Sequence, residues 1–242
     1  MMSCRFAALA FDASDPHRLA AFWAAVLDRD LDTQSDADVV TVLPRGRHDF
    51  PIDFAPTMAP RQGPNRTHFD LTSASPDDQH AIVERALSLG AGHLDIGQGP
   101  DAEHVVLADP DGNEFCVIPP GNHFLSNTAP IGALSGDGTQ AVGYFWAAAL
   151  NWPLVWDQDE ETAIQAPDGG TKFTWGGPPV KPKQGKNRLH FDIVPTDGAS
   201  QDSAVERLIT LGARRIDIGQ GDVPWVVMAD PDENEFCVLA PR

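Results

Sequence analysis

Three cysteines, Cys4, Cys116 and Cys237, in a chain of 242 residues leave no paired spacing from which a disulfide framework could be built. Their scarcity points to a reducing compartment, and the expected location is cytoplasmic. Basic residues are also short: 17 Lys plus Arg face 35 Asp plus Glu, a formal net charge of −18. Such a chain repels phosphate backbones and anionic head groups, which makes nucleic acid and membrane poor partners. The same charge is compatible with a cationic ligand, and equally with an acidic surface that only meets water. Long apolar runs are missing as well. Phe6–Phe11 is too short for a signal-peptide core, and no stretch approaches the roughly 20 apolar residues of a membrane span. There is no Gly-x-Ser-x-Gly elbow for nucleophilic hydrolysis. Gly97-Gln98-Gly99 and Gly219-Gln220-Gly221 do not continue into a dinucleotide fingerprint, so they read as loop glycines.

What is present is a hydrophobic fraction of 42%, enough for a globular core, and a repeat. Asn65-Arg66-Thr67-His68-Phe69-Asp70-Leu71 returns as Asn187-Arg188-Leu189-His190-Phe191-Asp192-Ile193. Each copy closes on a second matching run, Glu114-Phe115-Cys116-Val117 and Glu235-Phe236-Cys237-Val238. Residues 65–118 and 187–239 align with one gap and about half their positions identical, so the chain is a tandem duplication. The expected domains are 1–120 and 128–242, joined by a linker at 121–127. Each is of ordinary domain size.

Period and turn chemistry divide each half into two units. Phe6–Phe11 reads as a buried strand, and Asp15-Pro16 then opens a helix with Leu19, Phe22, Trp23, Val26 and Leu27 on one stripe. Strands are expected at Val39–Leu43 and Phe50–Phe54. After the repeated strand, Ser75-Pro76 starts a second helix that Gly90 stops, and strands follow at His93–Ile96, His104–Ala108 and Glu114–Ile118. The order recurs beyond the linker. It begins with strand Ile131–Leu134 and a helix bearing Val142, Phe145, Trp146, Ala149 and Leu150, and ends with strands at Ile216–Gly221, Trp225–Ala229 and Glu235–Leu239.

In a strand, alternate side chains point to opposite faces. Phe69, Leu71, Leu94, Ile96, Phe115 and Val117 therefore fit a dry side against the helices. Arg66, His68, Asp70, Asp95, Glu114 and Cys116 are left on the other side, mirrored by Arg188, His190, Asp192, Asp217, Glu235 and Cys237. That face could simply meet water, as one side of an antiparallel sheet often does; yet His and Cys are unusual choices for a solvated sheet face. Carboxylates near His68 or His190 would favour a charged imidazole able to move a proton near neutral pH. His68 and His190 are accordingly the candidate catalytic groups, with Glu114 and Glu235 assisting, while the rest of the face supplies ligand contacts. Arg66 could instead neutralise a carboxylate, and an unpaired Cys is most often a small buried hydrophobe. Trp23 and Trp146 belong to helix stripes; Trp175 and Trp225 have no such assignment and could wall a pocket.

On these residues, together with Arg215-Ile216-Asp217-Ile218-Gly219-Gln220 and Trp225–Val238 around Ala229-Asp230-Pro231, the chain resembles the vicinal oxygen chelate superfamily, in particular its glyoxalase-like branch. The resemblance implies an α+β fold of tandem glyoxalase-like domains. Each has two βαβββ units whose mixed sheet curls into a cup, with helices on the outside. Whether a cup closes from the two units of one half, or borrows one from the other half or a partner chain, stays open. In metal-using members the first and last strands of a unit each present a ligand, and here His68 and His190 fall on the histidine position. Cys116 and Cys237 fall on the carboxylate position, and Ala8 and about Ile131 fall where the remaining unit would supply a ligand. A divalent metal thus has an incomplete set. The implied activities are a small-molecule lyase, isomerase or dioxygenase; a metal-free sequestering protein like those of bleomycin resistance, with Asp70, Asp95 and Glu114 lining an acidic cup; or a scaffold, with a homodimer compatible with any of them.

Overall fold

The computed structural model describes residues 4–32, 38–99, 101–196 and 198–241. Unit one comprises β1 (Cys4–Ala13), α1 (Pro16–Leu27), β2 (Val40–Val42) and β3 (Ile52–Pro56). Unit two is β4 (Thr67–Leu71), α2 (Pro76–Ser88), β5 (Gly92–His93), β6 (Val105–Ala108) and β7 (Glu114–Val117). Unit three is β8 (Ile131–Gly136), α3 (Gln140–Leu150), β9 (Leu154–Gln158), β10 (Glu161–Gln165) and β11 (Lys172–Trp175). Unit four closes the chain with β12 (Leu189–Pro195), α4 (Gln201–Thr210), β13 (Arg214–Arg215), β14 (Val226–Ala229) and β15 (Glu235–Val238).

The helices begin where side-chain caps permit. Asp15 accepts from the Arg18 amide at 3.1 Å and Ser75 from Asp78 at 3.1 Å, each followed by a proline in the first turn. Gly90 and Gly212 end the second helix of each half with φ of +104° and +114°, values that a Cβ would strain.

The sheets do not respect the boundary between the halves. One runs β13-β14-β15-β12-β1-β3-β2 and the other β5-β6-β7-β4-β8-β11-β10-β9. Unit one therefore shares a sheet with unit four, and unit two with unit three. The seams are antiparallel: Ala10 lies opposite His190 and Ala8 opposite Asp192, while Ser135 lies opposite His68 and Ala133 opposite Asp70. The position facing Asp70 is thus Ala133, two residues beyond the expected Ile131; a register irregularity between Asp70 and Leu71 separates the two.

Helices tie the units of one half together. The Trp23 indole on α1 donates to Asp109 at 3.2 Å, and the Trp146 indole on α3 donates to Asp230 at 3.2 Å. Each aspartate also accepts from backbone amides of its own turn, such as those of Asn113 and Asn234 at 2.9 Å. Trp23 packs edge-on against Phe69 and Phe115 at 4.7 and 4.9 Å, so the stripe on α1 seals the apolar face of β4 and β7. Burial lifts the Asp109 and Asp230 carboxyls to about 6, against the opposing pull of their Asn and Trp donors.

Two expected strands differ. The runs 94–96 and 216–221 leave the sheet after β5 and β13, because Asp95 and Asp217 turn back to accept from Gly97 and Gly219, each at 2.8 Å. Ile96 is consequently exposed rather than on the dry side. Strand β9 was not expected; all five of its residues are exposed, so it carries no alternation to read. Trp175 is buried in the core. Among the described residues no helix is long and apolar enough to cross a membrane.

Helix α3 crosses β10 at Gly143, where a Cβ would stand 2.0 Å from Thr162 Oγ1 and 2.6 Å from Thr162 Cβ. Helix propensity favours Ala over Gly by about 1 kcal/mol, but overpacking a closed core costs about 1–3 kcal/mol. Gly143→Ala should therefore lower stability in urea unfolding; a gain would show that this helix is free to lift from the sheet.

Candidate functional site

Strands β4 and β7 run side by side in parallel, with Asp70 opposite Cys116, and β12 and β15 repeat this with Asp192 opposite Cys237. The period-2 pattern thus brings His68, Asp70 and Cys116 together, with one nitrogen, oxygen or sulfur donor from each lying within 4.8 Å of the others. His190, Asp192 and Cys237 form the same group in the other sheet. All three cysteines are unpaired and buried.

The two groups are alike in sequence and differ in setting. His68 Nε2 lies 3.4 Å from Asp70 Oδ1, with 34% of the imidazole side chain exposed. His190 Nε2 is 3.7 Å from Asp192 Oδ1 and its side chain is 13% exposed. The facing strands set the two groups apart. Opposite His68 stands Ser135, whose hydroxyl donates to Asp70 and accepts from Thr174 Oγ1 at 3.3 Å. Opposite His190 stands Ala10, and beside Ala10, where the other sheet has Thr174, stands Asp53. One carboxylate receives a hydroxyl, whereas the other faces a second carboxylate.

Protonation diverges accordingly. Burial works against charge on His68, but the adjacent Asp70 and Cys116 outweigh it and hold the imidazole up at about 10. For His190 burial dominates, helped by the Lys186 charge, and brings it down to about 3. Burial and then the Asp53 charge raise Asp192 to about 7, and burial with the Asp192 charge raises the Cys237 thiol. The first group keeps a charged imidazole; the second is close to neutral. His190 Nδ1 and Asp192 Oδ1 are buried without hydrogen-bond partners.

His68, Cys116, Glu114 and Arg66 open on a cavity of about 770 Å³ between the halves, which also takes Arg188 and Leu189 from the far side. His190, Asp192 and Cys237 do not line it. Two equivalent loops cover the opening, residues 57–66 and 176–188. They meet where Gln62 lies against Gly185 and Gln184 against Gly63, leaving a Cβ 2.8 Å and 3.0 Å respectively from the glutamine oxygen.

Glu114 and Glu235 secure these loops. Glu114 accepts from the Arg61 guanidinium and from the Asn65 amide at 3.2 Å. Glu235 accepts from Lys183 at 2.7 Å and the Asn187 amide at 3.1 Å. Asp95 and Asp217 cap their own Gly-Gln-Gly loops. Trp225 is partly exposed and away from the cavity. Of the acids expected to line a cup for a cationic ligand, Glu114 lines the cavity but is engaged by Arg61, and Asp70 and Asp95 do not line it; the wall carries Asp12 and Asp137 beside Arg61, Arg66, Lys181, Lys186 and Arg188.

Sequence reasoning missed Ser135, Asp53, Arg61 and Lys183. The last two had a visible signal, since each is a basic residue four positions before the repeated Asn. Ser135 and Asp53 had none without knowing which units share a sheet.

Comparison with known proteins places the fold. Glyoxalase I from Zea mays superposes with a TM-score of 0.67 at 14% identity, covering 99% of this chain and 93% of that one. A putative dioxygenase from Bacillus subtilis subsp. subtilis str. 168 gives 0.63 at 13% identity, covering 99% and 86%. At such identities the likeness is one of fold. No curated protein matches this chain in sequence. The model of the glyoxalase-like domain matches residues 8–118 and again 134–239, nearly the whole length, and on that ground the chain belongs to the glyoxalase-like domain family.

Proposed function

We propose that this protein is a small-molecule enzyme of the lyase or isomerase kind, with proton transfer at His68 in the cavity between the halves. The observation that carries this is the contrast between the two groups. Of the two groups, only His68–Asp70–Cys116 combines a charged imidazole with a carboxylate beside it and access to a cavity large enough for a ligand. His68 stands ready as the donor. Asp70, held by the Ser135 hydroxyl, fixes the ring and balances its charge. His68 gives its proton to a substrate carbonyl oxygen, the neutral imidazole so formed takes the proton from the adjacent carbon, and the reverse steps return a proton to that carbon, so the imidazolium is regenerated and exchanges with solvent through its exposed edge. Glu114 is a positioning residue, since both its oxygens are engaged with the covering loop.

The resemblance raises the question of a divalent metal. His68, Asp70 and Cys116 offer nitrogen, oxygen and sulfur donors within 4.8 Å, a three-ligand set that would fit a zinc-type ion with one open position, although a His68 bound in that way would be neutral and no longer the proton donor. There it would polarise a substrate oxygen. The two-histidine, one-carboxylate set of non-haem iron oxygenases does not fit, because each group has a single histidine. This donor chemistry favours proton transfer over dioxygen chemistry.

Imidazole nitrogen shifts followed by NMR should show His68 protonated at pH 8 and His190 neutral at pH 5, since each proton is lost only above the group's own value, about 10 and about 3. The reverse order of titration would sink the assignment of roles. Incubation with a panel of small α-hydroxy and α-keto compounds in deuterium oxide should reveal exchange at a substrate carbon. Loss of roughly 10²- to 10⁴-fold is expected for His68→Ala, and His190→Ala should keep the rate. Exchange with no compound of the panel, or equal loss in both variants, would count against the proposal.

A further inference from the structure

Two arginines on the cavity wall have donors that nothing among the described residues satisfies. The Nε and Nη1 of Arg188 are buried without a hydrogen-bond partner, as is the Nε of Arg66. Arg188 is only 9% exposed, and neither arginine takes part in an ion pair among the described residues. Arg29, 7% exposed, is by contrast engaged, donating to Asp49 at 2.6 Å and to the Phe50 carbonyl at 3.2 Å, while Arg207, away from the cavity, leaves one orphaned nitrogen and anchors another on the Ala148 carbonyl at 2.7 Å. Arg66 and Arg188 occupy the same place in the two copies of the repeat, and both reach the same cavity. Their carbonyls accept from the amides of Asp137 and Asp12, each at 2.7 Å, which fixes the backbone from which both side chains start.

The acids nearby are engaged elsewhere. Glu114 is bound by Arg61, Asp12 by Lys186 at 2.5 Å, and Asp137 accepts from the Lys181 amide at 3.0 Å. Positive charge is also concentrated here against the trend of the chain: three of its four lysines, Lys181, Lys183 and Lys186, lie on one covering loop of a protein with a net charge of −18. A buried guanidinium with orphaned N–H groups is costly to keep unless a partner arrives, and its planar fork matches the oxygens of a carboxylate or phosphate.

We infer that Arg188 and Arg66 form an oxyanion subsite that takes a carboxylate or phosphate group of the ligand and holds the rest of it toward His68. This rests on the reading of the cavity as the substrate site. It names the substrate class: an anionic small molecule, the opposite of what the net charge of the chain suggests.

The test is the melting temperature of the protein against inorganic phosphate and, separately, malonate, with ionic strength held constant by sodium chloride. The wild type should show a saturable rise, and the more effective anion identifies the group. Arg188→Met should weaken the apparent affinity by at least about tenfold, the loss expected for a charged hydrogen bond, and should leave the anion-free protein as stable as the wild type or more so. Arg214→Gln, which changes only an exposed pair with Glu233, should keep the full response. Phosphorus-31 line broadening of phosphate by the wild type, reduced in Arg66→Gln, gives the same answer without depending on how Arg188→Met folds. A wild-type response no larger than that of Arg188→Met for both anions would overturn the subsite, as would equal broadening in Arg66→Gln. The His68→Ala protein should retain the anion response. Response kept with deuterium exchange lost separates this subsite from proton transfer, and exchange intact with no anion response overturns the subsite alone.

Discussion

Antiparallel pairing across the two seams, β1 with β12 and β8 with β4, sets every other position in the molecule. Each seam joins strands from opposite halves, so neither sheet can form from one half alone. Through it Ser135 meets Asp70, and Ala10 meets His190. The helices act in the other direction: Trp23 and Trp146 reach turns in the neighbouring unit of the same half and seal the apolar faces there. Sheet contacts across halves and helix contacts within them together lock four similar units into one body, with the cavity at their common centre.

Duplication supplied two identical sets of His, Asp and Cys, and the facing strands made them different. The Ser135 hydroxyl donates to Asp70, and Asp70 together with Cys116 holds His68 in its charged form. A carboxylate beside Asp192 does the reverse, so the pair there shifts toward neutrality, and the closed setting of His190 adds to this. Two differences between the facing strands, Ser135 against Ala10 and Asp53 against Thr174, thus give one repeated arrangement two settings, one open to the cavity and one packed. The covering loops repeat the theme, with Glu114 and Glu235 both spent on holding them.

Sidedness within a strand was legible because it is local. Phe69, Leu71, Phe115 and Val117 lie in the core and His68, Asp70 and Cys116 share the other face, as alternation required. Helix starts at Asp15 and Ser75 were equally local. Features that depend on partners were not legible. The residues of β1 would suit β4 of the same half as well as β12 of the other, since both copies carry the same text. Alternation also misled at Asp95 and Asp217, where an Asp two residues before an amide prefers its own turn to a ladder. The difference between His68 and His190 lay outside both motifs, in Ser135 and Asp53. The cations of the cavity were hidden by an average: a net charge describes the whole surface, whereas three of the four lysines lie on one covering loop.

The order in which the sheets can close is dictated by the seam between β1 and β12. The partner of the first strand begins at residue 189, long after β1 ends at Ala13, whereas β8 begins at Ile131, a shorter way after β4 ends at Leu71. During synthesis the β4–β8 seam can therefore form before the β1–β12 seam, and β1 waits with an unpaired edge until β12 has emerged. The ribosome would hold, for most of translation, a half-built molecule with a sticky border, and that interval is when a chaperone has the most to protect.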